Sequence, residues 1–384
     1  MTQQYLRSLI PWSLGLLISS VYGITINSWY SNIDDHQIVA WLGPSHALTF
    51  NRMWHELVSM RFGLFDDQAR FLPLFFCYWL IETALLGDRP YLYHVLRIMY
   101  FGLFLGSLIW LATPTLGIIV ATSVTAVLVL QVFWAHIWAY SLGVTEQLAA
   151  LGVAITIVGY RQVISEWVHD NRRGGRGILA VSIGTAIAIG SKENFSFLMV
   201  PLSMTLLAFY YKRTLNCGVM FKSLPFLTFS IFCLAAILCK SMTIDVDYYG
   251  TDSSLRHRIN VVAAAWVFLI FVITAFIIAL VLSYFALRRS PLDKRALVST
   301  NQVFLFGITT LCAYLIWEIF IYNGALPGAG NRYAFPFRIL PIVIIGVFAS
   351  FLVVVFPFQT RWWRGILPLC LGLLVICKPR SIDP

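Results

Sequence analysis

The chain has 384 residues, 59% of them hydrophobic and 11% charged, with a formal net charge of +10. A soluble domain is about half apolar and about a quarter charged, so a mean hydropathy of +0.79 excludes a soluble enzyme, along with disordered and disulfide-stapled classes. The basic excess lies in short loops between apolar runs, as membrane topology requires, which excludes nucleic acid as a partner.

The first apolar run is 9–29, behind Arg7, with no small-x-small cleavage site after it. It reads as an uncleaved span. A polar-aromatic segment, 30–93, follows. Further runs lie at 95–112, 115–135, 143–160, 177–191, 195–211, 223–239, 259–287, 302–322, 337–358 and 365–377. A hydrocarbon core of ~30 Å takes ~20 helical residues to cross, and the backbone must satisfy itself there. The expectation is an all-α, polytopic helical bundle of about eleven spans, one transmembrane domain over 1–384.

With the N-terminus in the cytoplasm, fourteen of 27 Lys and Arg fall inside, against three of 17 Asp and Glu (Glu166, Asp170, Asp293). That bias puts 30–93 outside. Within this loop, Phe71–Leu86 is apolar but short, contains Glu82, begins near Pro73 and stops at Gly87. It reads as an interfacial helix rather than a span. Ala47–Phe65 spaces Leu48, Trp54, Leu57, Val58 and Met60 near helical periodicity, which suggests a second, amphipathic interfacial helix.

Candidate chemistry starts with Asp34-Asp35-His36, just past the first run. Mutual repulsion raises the pKa of one adjacent carboxylate, as suits a general base or a metal ligand. The plainer reading is an acidic cap on a helix starting after Ile33. Ser191-Lys192-Glu193-Asn194 is wedged between two apolar runs. At such depth an ionisable residue is a functional hypothesis. Lys192 would neutralise a phosphate that Glu193 orients; alternatively the two residues pair with each other and end two helices.

Asn331-Arg332-Tyr333, near the flexible PGAG of 327–330, offers a guanidinium fork for phosphate or a membrane-belt anchor. The loop 240–260 carries Asp245, Asp247, Arg256, His257 and Arg258, as a phosphate or sugar site would and as any solvated loop does. Glu146, at the outer mouth of a run, faces either a polar cavity or a neighbouring helix. The seven Cys show no metal-ligand spacing and read as small apolar residues. No Walker A, GxSxG or HExxH motif occurs. The acidic pair, Lys192-Glu193, Arg256/Arg258 and Arg332 all fall on the outer side of the proposed topology.

In this order the features resemble the GT-C superfamily of integral-membrane glycosyltransferases. The matching elements are Asp34-Asp35 opening a long outer loop, Arg70-Phe71-Leu72-Pro73 before an apolar helix, and Gly87-Asp88-Arg89-Pro90 followed by Tyr93-His94. Thr145-Glu146-Gln147, Ser191-Lys192-Glu193 and Asn331-Arg332-Tyr333 with Pro336 complete the set. The match covers about the whole chain and is to compact members without a soluble C-terminal domain.

The resemblance implies transfer of a sugar from a polyprenyl-phosphate donor to a hydroxyl of a glycan, lipid or protein acceptor. The site is on the outer face of a membrane, such as the bacterial inner membrane. Asp34 or Asp35 is then the base. Lys192, Arg332, Arg256 and Arg258 hold the donor phosphate, with His36, Glu146, Glu193 and Tyr333 in support. Some relatives use a divalent cation beside the acid, for which Asp34, Asp35 and Glu146 offer oxygens. A lipid-linked glycan polymerase or ligase and a transporter or flippase are the alternatives. Against the transporter stand the lack of an internal repeat and the clustering of charge at one face.

Cysteines introduced at Ser45 and at Asn171, in a cysteine-free background, are expected to label from opposite sides with an impermeant thiol reagent. Labelling from one side overturns the topology and makes Phe71–Leu86 a span.

Overall fold

The computed structural model describes residues 2–30, 35–59, 71–129, 145–168, 176–211 and 217–243, and singly Trp134, Ile137, Trp138, Leu142 and Ala313. The runs expected at 259–287, 302–322, 337–358 and 365–377 lie outside the described residues. Within them the chain is helix and turn, with no strand.

Helix α1 (Thr2–Ser19) continues as a 3-10 turn over Ser20–Thr25. Three short helices follow in the first loop: α2 (His36–Leu42), α3 (Phe50–Ser59) and α4 (Pro73–Leu86). Then come α5 (Pro90–Leu116), α6 (Ile118–Val129), α7 (Thr145–Val168) and α8 (Arg176–Ser191). A 3-10 turn over Glu193–Leu198 leads to α9 (Met199–Tyr211) and α10 (Cys217–Thr243). Segments 90–113 of α5 and 217–239 of α10 are long and apolar enough to cross a membrane; Leu9–Thr25, Pro73–Leu86 and Arg176–Ser191 are shorter apolar helices.

Helix α4 matches its sequence expectation closely, and two other elements depart from theirs. Helix α4 starts at Pro73, whose missing N–H costs nothing in a first turn. It ends at Gly87, at φ 58°, whose N–H caps the Thr83 carbonyl; that backbone favours glycine. The amphipathic helix starts three residues later than 47: α3 spans Phe50–Ser59, and 60–65 are outside the described residues. Phe50, Trp54 and Val58 stand exposed at four-residue spacing along α3. The run 195–211 opens as a 3-10 turn rather than an α-helix, because Lys192 is extended and breaks the helical path.

Glycines set how closely the helices approach. On α7, Gly152 and Gly159 lie seven residues apart, as do Gly177 and Gly184 on α8. An added Cβ on Gly152 would sit 2.6 Å from the Ala188 nitrogen, one on Gly159 2.6 Å from Val181, and one on Gly177 2.6 Å from Val163. The order of these contacts makes α7 and α8 antiparallel, backbone against backbone, with Thr156 facing Gly184. In lipid, where apolar burial drives little helix association, such close packing is the main attraction. Helices α1 and α5 meet similarly: a Cβ on Gly106 would lie 2.8 Å from the Trp12 ring, and one on Gly102 2.5 Å from Leu16.

The principal core lies among α5, α7, α8 and α10, around Phe101, Phe104, Trp134, Trp138, Ile178, Ile189 and Cys233. A smaller one lies under the first loop, where Trp41 of α2 meets Trp79 of α4 at 4.8 Å, joined by Ile38, Phe75, Tyr93 and Leu142.

Gly184→Leu forces a branched side chain into the α7–α8 contact and is expected to cost about 1–3 kcal/mol. The measurement is thermal unfolding in detergent. Gly23→Ala, whose Cβ would meet nothing nearer than Ile26 at 3.9 Å, should leave the midpoint in place; equal shifts would refute the packing argument.

Candidate active site

The charged residues gather at one end of the bundle. Glu146 occupies the first turn of α7, and Lys192 directly follows the last residue of α8. Because α7 and α8 run antiparallel, these two termini are neighbours. The Lys192 ammonium lies 3.3 Å from Glu146 Oε1, both side chains 1% exposed. Each charge has the sign its helix end favours, carboxylate at an N-terminus and cation at a C-terminus. The Thr145 hydroxyl donates to Glu146 Oε2 at 3.0 Å. Lys192 thus pairs with Glu146, a partner the sequence did not offer for it. Glu193 and Asn194 are also buried here.

Asp35 stands directly before α2 and is buried. It sits at the N-cap, yet its carboxylate makes no capping bond. Instead Oδ1 accepts the N–H of Leu142, 107 residues away, at 2.7 Å. The same residue's carbonyl accepts from Arg97 Nε and Nη2 at 3.2 and 3.1 Å. Arg97, on α5, also forks onto Glu82 of α4, at 2.6 Å to Oε1 and 2.5 Å to Oε2. The Tyr78 hydroxyl accepts from Arg97 at 2.6 Å, donates to Glu82 at 2.7 Å and lies 3.1 Å from the Tyr100 hydroxyl. Buried charge is tolerable only with this degree of partnering.

Around this network the first loop is pinned to the α4–α5 turn. The Tyr30 and Tyr93 hydroxyls both donate to the Gly87 carbonyl, at 3.3 and 3.1 Å. Burial holds the Tyr30 pKa above its ordinary value, so it stays a neutral donor. His46 Nδ1 sits 2.6 Å from Asp88 Oδ2. His94, buried on α5, lies within electrostatic reach of Asp35.

Of the residues singled out from sequence, the structure brings Asp35, Glu146, Lys192 and Glu193 to one buried region; His36 is exposed at the start of α2. Asp34, Arg256, Arg258, Arg332 and Tyr333 lie outside the described residues. Sequence reading missed Arg97, gave Glu82 no partner, and had no means to find Leu142. The available signal was two opposite charges inside adjacent apolar segments, across the Gly87–Pro90 turn. Among the described residues, no three His, Cys, Asp or Glu side chains gather as a metal ion would need. Asp35 and Glu146 are already engaged by a peptide N–H and an ammonium, so no step is routed through a cation here.

No family model, curated protein or solved structure matches the chain.

Losing one partner of a buried pair is expected to cost about 3–5 kcal/mol. Lys192→Ala should therefore lower the thermal midpoint sharply, and Lys192→Met with Glu146→Leu should recover most of the loss. Lys192→Ala with Glu193→Ala should not recover it. Rescue by the Glu193 change instead would mean that the working partner is Glu193.

Proposed function

We propose that the chain is a multi-pass membrane glycosyltransferase of the GT-C type, moving a sugar from a polyprenyl-phosphate donor to an acceptor hydroxyl at the outer surface of the membrane. The observation that carries this reading is the concentration of buried acid and base at one end of an apolar bundle. Asp35, Glu82, Arg97, Glu146 and Lys192 all lie there. Structural ion pairs alone would not need to assemble at that end, where a lipid-borne phosphate and a water-borne acceptor meet.

In the reaction a carboxylate of the Asp34-Asp35 pair takes the acceptor's hydroxyl proton. The oxygen attacks the anomeric carbon, and the carbon–oxygen bond to the phosphate breaks. The lipid phosphate leaves with an added negative charge, which a cation stabilises. Asp35 is committed to the Leu142 N–H, so we assign the base to Asp34 and an anchoring role to Asp35. Lys192 is neutralised by Glu146. The phosphate charge therefore falls first to Arg256, Arg258 and Arg332, with Tyr333 beside them. About eleven spans, with the N-terminus inside, complete this reading.

The experiment uses the full chain in lipid vesicles with a radiolabelled polyprenyl-phosphate sugar, and reads the free polyprenyl phosphate released on acceptor addition. Asp34→Asn is expected to lower turnover about 10²–10⁴-fold with the thermal midpoint unchanged. Asp35→Asn should lower both. Wild-type turnover in Asp34→Asn would remove the base assigned here, and no sugar transfer by the wild type from any polyprenyl-phosphate sugar would remove the function.

A further inference from the structure

Residue Leu142 is held from both sides. Its N–H is given to Asp35, at the start of the first loop's helices. Its carbonyl is taken by two nitrogens of Arg97. Arg97 is itself fixed by a two-point contact to Glu82, and its guanidinium is fully enclosed. The order is therefore carboxylate of α4, guanidinium of α5, backbone of residue 142, carboxylate of Asp35. Three residues beyond Leu142, α7 begins and presents Glu146 to Lys192.

We infer that Arg97 is a positioning residue for the acid that opens the first loop: by gripping the Leu142 carbonyl it holds residue 142 where its N–H meets Asp35, and so fixes the start of α2, next in sequence to Asp34. This inference rests on the glycosyl-transfer reading above for its effect on turnover, but not for its effect on geometry. Arg suits the task because its planar fork can serve Glu82 and a carbonyl at once; Lys offers a point charge. A simple buried salt bridge between α4 and α5 would need only opposite charges. The additional contact to residue 142 is what ties the bridge to the acidic loop.

The test separates the bridge from the aim. Arg97→Lys keeps a charge beside Glu82 but loses the fork onto Leu142. The exchange Glu82→Arg with Arg97→Glu restores a bridge but puts an acceptor where the Leu142 carbonyl needs a donor. Spin labels at exposed Val39 of α2 and exposed Tyr91 of α5 report how tightly the Asp35 loop is held. Turnover of the lipid-linked sugar reports the consequence.

The expected result is a broadened label distance in both variants. Turnover should fall about tenfold to a hundredfold, as a misplacement near 1 Å costs, with KM for the donor unchanged. The exchanged pair should regain the thermal midpoint without regaining turnover. If the exchange restores turnover, or if Arg97→Lys leaves the label distance as narrow as in wild type, Arg97 is only a bridge. Should the exchanged pair fail to fold, Arg97→Lys decides alone. Should wild type transfer no sugar, the functional reading falls and the label distances still decide the positioning.

Discussion

The grip on Leu142 ties together parts of the chain that no local rule would join. Asp35, Glu82, Arg97 and residue 142 come from four segments, and each polar group answers another. Burying a lone carboxylate or guanidinium costs several kcal/mol, and a bare pair often does little better than an apolar replacement. Such a network is thus a poor source of stability for its own sake. Its return is uniqueness: a half-satisfied arrangement is heavily penalised, so the first loop docks in one way. The small apolar core around Trp41 and Trp79 supplies the adhesion that the charges do not.

A second constraint acts on the Lys192–Glu146 pair. The glycines of α7 and α8 fix the register of those helices because a slip of one residue would drive side chains into facing backbone. Lys192 lies four residues past Ala188, and Glu146 six before Gly152; Ala188 and Gly152 face each other in that contact. The pair is therefore placed by packing that contains no charge. The two helix termini then favour the charges that occupy them.

The helical character of the described residues was legible in the sequence because its signals are local. Pro73 and Gly87 bound α4 by backbone chemistry, and segments 90–113 and 217–239 have the length and apolarity that a ~30 Å hydrocarbon layer demands. The site was legible only in part. Asp35, Glu146 and Lys192 announced themselves as ionisable residues at the edges of apolar runs. Their partners did not. For Lys192 the sequence offers a phosphate or its neighbour Glu193, yet tertiary packing brings it a partner from 46 residues earlier. Asp35 looked like a helix cap because Asp so often is one, but its carboxylate turned to a backbone N–H 107 residues on. No periodicity reports a contact made by tertiary packing.

The opposite end of the bundle sharpens the meaning of the charged one. There the Arg161 guanidinium lies over the Trp110 ring, 3.5 Å from its centroid, and bonds the Trp110 carbonyl, with Trp12 6.5 Å from Trp110. Arg97 and Trp110 are 13 residues apart on α5, or ~20 Å at 1.5 Å per residue. Arg161 is answered by an aromatic face and a carbonyl, whereas Arg97 and Lys192 are answered by carboxylates. At that end the charge rests on a π face, a cation–π contact that needs no anion. The described bundle thus has one end where a cation meets an aromatic face and one end where cations meet carboxylates, and Asp35 joins the latter through Leu142.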